Sequence, residues 1–284
     1  MKIKGKKILI TGGSGSLGRY LIKELLKNGA DNIISLSRDE GLIKEAEGEV
    51  QSNKVTWRVG DISDSGMVEK LLNGVDFVYH AAALKHVTLA EKYPREVLKI
   101  NILGILNLLD HEKNVSRFIN VSSDKAIGVV NCYGASKLFA EYLVAETGRM
   151  YPGKYITIRC PNLFGSRGSV LDLWKQLIKK TNVIEVTDPS MTRFFITLSD
   201  AAKFITDTSL LPNLSSEKIY YPLSDTKKFL VGDLARAFVS VFGDSKTRIK
   251  EIGARSGEKK HEDYMTEVPL LKVEELIKLL KTLK

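Results

Sequence analysis

A short apolar segment, Lys7–Ile10, runs straight into Thr11-Gly12-Gly13-Ser14-Gly15-Ser16-Leu17-Gly18, then into an apolar-periodic stretch closed by Asn28-Gly29. Strand, glycine loop and amphipathic helix in that order constrain the fold more than any other part of the chain. With a second strand at Ile33–Leu36, they make a β-loop-α-β unit, the context that a dinucleotide fingerprint requires. Each glycine has its own task. Gly12 permits the tight turn, Gly15 lets backbone approach a pyrophosphate, and Gly18 lets the helix pack closely on the sheet. The helix N-terminus then faces phosphate oxygens with free N–H groups. Thr11, Ser14, Ser16 and Leu17 complete this candidate phosphate loop.

The alternation continues. Strands are expected at Val55–Val59, Asp76–His80, Arg117–Ser122 and Tyr155–Arg159, with a long helix at Arg95–His111 carrying Asn101 and another from Tyr133 to about Met150. This pattern predicts an α/β, Rossmann-type doubly wound parallel sheet. Residues 1–160 are expected to form the dinucleotide-binding domain. Residues 161–284 are expected to form mainly a smaller C-terminal substrate-binding lobe, interleaved with the last strands. Beyond Pro161, Asn162–Ser169 reads as a polar glycine-rich loop. A helix is expected at Val170–Lys180, strands at Val183–Val186 and Phe194–Thr197, and helices at Ser199–Leu210 and Val231–Phe242. Lys272–Lys284 reads as a packed basic tail helix.

The second strand ends at Ser37-Arg38-Asp39. A serine and an arginine there suit a 2′-phosphate, so NADP is expected in preference to NAD, which Asp39 alone would favour. Asp61 is placed to accept from the adenine amino group, with Ile62 beside it. Ala81-Ala82-Ala83 are small enough for a cofactor to lie against the sheet.

Composition narrows the setting. The chain has 284 residues, 43% of them hydrophobic, enough for a sizeable core. Its two cysteines, Cys132 and Cys160, lack metal-ligand spacing, which suits a reduced cytoplasmic protein without a metal. The basic start is followed by too short an apolar run for a signal peptide, and no stretch reaches membrane length. The net charge of +9 is scattered, with no nucleic-acid motif beside it. A partly basic cleft for a phosphorylated substrate fits it better.

The chemistry concentrates in Ser122-Ser123-Asp124-Lys125 and Tyr133-Gly134-Ala135-Ser136-Lys137. Tyr133 and Lys137 lie one helical turn apart and share a face. A lysine beside a phenol is expected to lower its pKa, making Tyr133 a base for a sugar or alcohol hydroxyl while hydride leaves the same carbon. Asp124 and Lys125 add a second acid/base pair that simple oxidation does not need, which points to an elimination.

These features together resemble the extended short-chain dehydrogenase/reductase superfamily over nearly the whole chain. The finer resemblance is to the inverting UDP-N-acetylglucosamine 4,6-dehydratases of the pseudaminic-acid type. Its segments are Ala82–Val87, Ser122–Ala126, Tyr133–Lys137, Gly165–Val170, Thr187–Phe194 and Gly257–Glu262. Asp124-Lys125 is the sharpest of these, because similar retaining dehydratases usually carry Asp-Glu there and 4-epimerases small residues. The resemblance implies that Tyr133, with Lys137 and Ser123, takes the O4 proton as C4 gives hydride to NADP⁺. Lys125 then takes the C5 proton, Asp124 protonates the departing 6-hydroxyl, and hydride returns at C6. It implies substrate contacts at Lys85, Asn162, Ser169, Val170, Thr192, Arg193, Arg255 and Glu258. It adds Lys85, Asn101, Tyr133 and Lys137 to the cofactor contacts, and it implies a homo-oligomer. Val129, Pro161 and Lys260 depart from the family pattern, and Val129, in place of a usual proline, predicts a looser loop before Tyr133. Three alternatives stay open: hydride return to C4 with a 5,6-ene product, a nucleotide-sugar 4-epimerase, and a non-catalytic NADP-sensing protein.

Overall fold

The computed structural model describes residues 1–111, 115–255 and 257–283. The strands are β1 (Lys7–Thr11), β2 (Asn32–Ser37), β3 (Val55–Val59), β4 (Phe77–His80), β5 (Arg117–Ser123), β6 (Tyr155–Cys160), β7 (Asn162–Phe164), β8 (Val183–Val186), β9 (Thr192–Thr197), β10 (Ile219–Tyr220), β11 (Lys227–Leu230) and β12 (Arg248–Glu251). A seven-stranded sheet runs in the order β10-β6-β5-β4-β1-β2-β3, every pair parallel. This is the expected doubly wound sheet.

Side-chain alternation explains why both faces are covered. Ile8 and Ile10 of β1 pack with Leu21, Ile22 and Leu25 of the helix Ser16–Lys27 and with Ala201 and Ile205 of the helix Leu198–Leu210. Leu9, between them, points the other way onto Leu72, Leu108 and Val144, from three helices on the opposite face. A parallel strand buried on both sides is therefore apolar throughout. Each such aliphatic side chain contributes about 1.5–3 kcal/mol on burial.

The strand order reverses between β1 and β4. Their connections leave in opposite directions, so a crevice opens at their carboxyl ends. The glycine loop and Ala81–Ala83 meet there. Gly12 has φ +74°, and a Cβ on it would lie 2.9 Å from the Ala82 nitrogen.

Several elements differ from expectation. The helix expected at Arg95–His111 is broken by a π-helical segment, Leu98–Leu103, between α-helical pieces Pro94–Val97 and Gly104–His111. Such insertions re-aim side chains, and here Asn101 is buried on the segment. Asn162–Phe164, expected as loop, is β7 and pairs in parallel with β9. Its ladder comes from a segment some thirty residues on, which local composition does not reveal.

A third core lies outside the large sheet. Phe164, Trp174, Phe195, Phe229 and Phe238 pack there with Leu276 and Leu280 of the tail helix Val273–Lys281. The tail is thus packed as expected, and its last residue, Lys284, lies outside the described residues. Residues after 160 also return to the first layer through β10 and the helix Leu198–Leu210. Among the described residues no helix is long and apolar enough to cross a membrane, and no His/Cys/Asp/Glu group could hold a metal ion.

Candidate active site

β5 carries the chain to Ser123 at the carboxyl edge of the sheet, where a single 3₁₀ turn, Asp124–Ala126, follows. The helix Cys132–Met150 starts on top of that turn, with Asn131 as N-cap accepting from the Gly134 amide at 2.7 Å. The contact is tight: a Cβ on Gly134 would sit 2.2 Å from the Lys125 carbonyl oxygen. Only glycine lets helix and turn approach this closely, so Gly134 sets the spacing between the tyrosine and the acid/base pair. The loop between them is not loose. Asn131 also donates to the Gly257 carbonyl at 2.9 Å, and Lys259 donates to the Ile127 carbonyl at 2.9 Å, which holds the loop without a proline at Val129.

The turn gathers the predicted chemistry. Ser123 Oγ donates to Asp124 Oδ1 at 2.8 Å, and Lys125 Nζ donates to the same oxygen at 3.0 Å. Lys125 Nζ also reaches Asn162 Oδ1 and Glu262 Oε1, both at 2.8 Å. Asn162 Nδ2 donates to Glu262 Oε2 at 2.8 Å and to the Phe194 carbonyl at 2.8 Å. Asp124, Lys125, Asn162, Arg193, Glu258 and Glu262 line one cleft of about 150 Å³. Glu262 was not singled out in the sequence. Its one legible signal was its place at the end of the Gly257–Glu262 segment.

Burial and charge set the proton affinities. Burial raises the Asp124 carboxyl to about 7; the nearby Glu262 carboxylate adds to this and Lys125 opposes it. Lys125 is pushed up, because Asp124 and Glu262 outweigh its burial. Glu262 is held down by Lys125 and Arg193 against its burial. Tyr133 departs from expectation. Burial lifts its phenol to about 12, while Ser123 and Lys125 pull it down. The lysine one turn away does not lower it. Burial drives Lys137 itself down to about 8, with Glu141 opposing.

The residues expected at the cofactor are spread around the strand-order reversal. A Cβ on Gly18 would come 2.3 Å from the Gly12 oxygen, so the helix rests directly on the turn, whereas at Gly15 only the Gly12 oxygen lies within 4 Å. The backbone at Gly15 is therefore open to a ligand. No side chain caps the helix that Gly15 begins. Ser14 N donates to Ser37 Oγ at 3.0 Å, and Thr11 Oγ1 pairs with His80 Nδ1 at 2.8 Å. Ser16 Oγ accepts from the Arg167 amide at 2.9 Å, and Leu17 is buried. Asp61 holds Ser63 N at 2.9 Å and approaches the exposed Arg38 at 3.5 Å. Asp39 caps the helix Glu40–Val50 by accepting from Leu42 N. Ile62 is buried, its carbonyl accepting from Asn107. Asn101 accepts from Leu84 N at 2.8 Å and donates to Leu84 O and Ser136 Oγ, tying the Ala81–Ala83 loop to the tyrosine helix. Lys85 Nζ donates to the Arg167 carbonyl at 2.9 Å.

The proposed substrate residues divide. Arg193 Nε lies 3.6 Å from Glu262, and its Nη1 donates to both the Thr192 and the Lys260 carbonyls. Thr192 Oγ1 pairs with His261 at 3.0 Å. Ser169 Oγ and Glu258 Oε2 are buried without a hydrogen-bond partner among the described residues, although buried polar atoms are normally satisfied. Val170 and Arg255 are exposed, and neither lines the cleft.

Fold and site together define an extended short-chain dehydrogenase/reductase, an enzyme of the nucleotide-sugar dehydratase/epimerase kind. The family model described as polysaccharide biosynthesis protein matches residues 8–281, and the chain belongs to that family. It is 39% identical over 265 residues to the UDP-N-acetylglucosamine 4,6-dehydratase (inverting) of Campylobacter jejuni subsp. jejuni serotype O:23/36, covering 91% of this chain and 77% of that one. It is 35% identical over 280 residues to the UDP-glucose 4-epimerase of Rickettsia conorii, covering 95% and 81%. The X-ray structure of Pen from Bacillus thuringiensis superposes with a TM-score of 0.90 at 27% identity, covering 99% and 100%.

Proposed function

We propose that this enzyme converts UDP-N-acetylglucosamine to a 4-keto-6-deoxy sugar nucleotide with inversion at C5, using NADP. The observation that carries the reading is the Asp124–Lys125 pair, its carboxyl buried and hydrogen-bonded to Ser123, lining a cleft. Epimerisation at C4 needs no second acid/base pair, and eliminating water needs one. The dehydratase name of the Campylobacter relative supports the same choice.

NADP⁺ held at the strand-order reversal would supply a hydride acceptor for C4 and a hydride donor for C6, with a proton added at C5 to balance the returned hydride. The open backbone at Gly15, the helix N-terminus free of side-chain caps and the Ala81–Ala83 surface fit a dinucleotide. Arg38 suits the 2′-phosphate form, and Asp39, the residue that would suit a ribose hydroxyl, is engaged in its helix cap. Ser169 Oγ and Glu258 Oε2, which have no hydrogen-bond partner among the described residues, suit a polar ligand such as the diphosphate and ribose of a UDP-sugar.

The side chains act in sequence. The O4 proton passes to the Tyr133 phenolate, the form that Ser123 and Lys125 favour against burial. The 4-ketone acidifies the C5 proton, which Lys125 removes. Asp124, whose carboxyl is raised and so holds a proton near neutrality, delivers it to O6, and water departs. A homo-oligomer is part of the proposal. Leu98, Leu103, Phe139 and Tyr142 offer exposed apolar surface for it, and light scattering tests it.

Proton NMR with UDP-N-acetylglucosamine and catalytic NADP⁺ in D₂O tests the reaction. A new C6 methyl signal with deuterium at C5 is expected. Vinyl signals would mean hydride return to C4, and retained O6 with changed C4 couplings would mean an epimerase. Tyr133→Phe is expected to slow turnover at least about 100-fold. Full turnover in that variant would remove Tyr133 from the chemistry.

A further inference from the structure

Glu262 has no task in the reaction proposed above, yet the fold fixes it firmly. A β-bridge between Thr192 and His261 lays its segment beside β9. Thr192 N donates to Lys260 O at 3.2 Å, and Tyr264 OH donates to Arg159 O at 3.1 Å, so the segment is held on both sides of Glu262. The Glu262 carboxylate meets Asp124 across two shared donors. Lys125 Nζ donates to Asp124 Oδ1 at 3.0 Å and to Glu262 Oε1 at 2.8 Å. Asn162 Nδ2 donates to Glu262 Oε2 at 2.8 Å and to Asp124 Oδ2 at 3.4 Å.

One ammonium thus faces two carboxyls, and like charges held this close oppose each other's ionisation. One carboxyl keeps a proton, and the surroundings decide which. Glu262 has two cations beside it, Lys125 and the Arg193 guanidinium, whose Nε lies 3.6 Å away. Asp124 is in ion-pair contact with Lys125 alone among the described residues, and its side chain is 1% exposed against 10% for Glu262. Tyr133, Cys160 and Tyr264 also stand near Asp124, and all three are neutral acids raised by burial. A further cation, Lys137, lies near Cys160 and Glu141. Burial and the Glu262 carboxylate raise Asp124, while against its own burial Glu262 is held down by Lys125 and Arg193. The charge therefore settles on Glu262 and the proton on Asp124.

We propose that Glu262 is the positioning residue that keeps Asp124 an acid: it serves as the counter-ion of Lys125, so that the Asp124 carboxyl retains the proton that O6 receives. The proposal rests on the dehydratase reading above. In the elimination the Asp124 O–H bond breaks, its proton bonds O6, and O6 leaves as water with the C6–O pair. The carboxyl must therefore enter that step protonated. Without a charge at position 262, Asp124 becomes the counter-ion and gives up its proton. Lys125 faces one carboxylate in either case, so the change falls on the acid and not on the lysine.

Carboxyl-carbon NMR of the ligand-free full chain tests this, with the Asp124 signal assigned through Asp124→Asn. In the wild type Asp124 is expected to titrate at about 7, with Glu262 already ionised. The reverse order, Glu262 protonated while Asp124 is ionised, would overturn the proposal even if no variant at 262 folds. Glu262→Gln is expected to lower the Asp124 midpoint by at least about one unit, and Glu262→Asp, which keeps the charge, to recover at least about half of that change. An unmoved midpoint in Glu262→Gln overturns the proposal. With NADP⁺ and UDP-N-acetylglucosamine, the ratio of methyl formation to cofactor reduction in Glu262→Gln is expected to fall about tenfold at pH 8 and less than about twofold at pH 5. An equal fall at both pH values would make Glu262 merely structural and overturn the proposal. If the wild type neither reduces NADP⁺ nor dehydrates this substrate, the dehydratase reading is what fails, and the ligand-free titrations decide whether Glu262 keeps the proton on Asp124.

Discussion

Replacing Asp124 with asparagine should change how stability depends on pH more than it changes stability at any one pH. Burial raises this carboxyl from 3.8 to about 7. Between those values the folded protein binds more protons than the unfolded chain. The stabilisation is therefore complete below the unfolded value and is lost as pH rises through the folded one. From pH 5 to pH 8 the wild type crosses about two units of that window, a loss of at most about 3 kcal/mol at about 1.4 kcal/mol per unit. Asparagine keeps the shape of the protonated acid and has no such dependence. The asparagine oxygen still accepts from Lys125, which also retains Glu262 and Asn162, so any cost there largely cancels in the comparison. Urea unfolding of both proteins at pH 5 and pH 8 measures the difference. The variant is expected to gain about 2–3 kcal/mol on the wild type between the two pH values, or about 4–6 °C in thermal midpoint. A gap between the proteins that is equal at both pH values would refute the argument that Asp124 is held protonated by its surroundings.

Two further outcomes follow from the geometry. Gly134→Ala puts a methyl 2.2 Å from the Lys125 carbonyl. It is expected to cost about 1–3 kcal/mol in urea unfolding and to slow dehydration more than C4 oxidation, because the Asp-Lys turn must shift. Arg38→Ala is expected to raise the KM for NADP⁺ about tenfold or more and leave that for NAD⁺ nearly unchanged. Steady-state kinetics with each cofactor decides it.

The first layer of the fold was legible because its signals are local. An apolar run, a glycine loop and helical periodicity sit within thirty residues, and each is dictated by near neighbours. Ser123, Asp124, Lys125, Tyr133 and Lys137 were legible for the same reason, as one strand end and the helix that follows it. The π segment at Leu98–Leu103 was not, because ordinary helical periodicity runs through it. Nor was β7, whose hydrogen bonds come from Phe195–Thr197. The phenol of Tyr133 was misjudged on spacing alone: a lysine one turn away says nothing of desolvation, and burial dominates that site.

The sequence by itself determined the class of fold and the residues at the end of β5, since each follows from periodicity and short-range geometry. The tertiary structure decided who meets whom across long separations. It brought Asn162 and Glu262 onto Lys125, which stands 37 and 137 positions from them. It also decided which of these groups hold protons. Proton affinity depends on the water excluded and the charges within a few ångströms, and those exist only once distant segments have packed together.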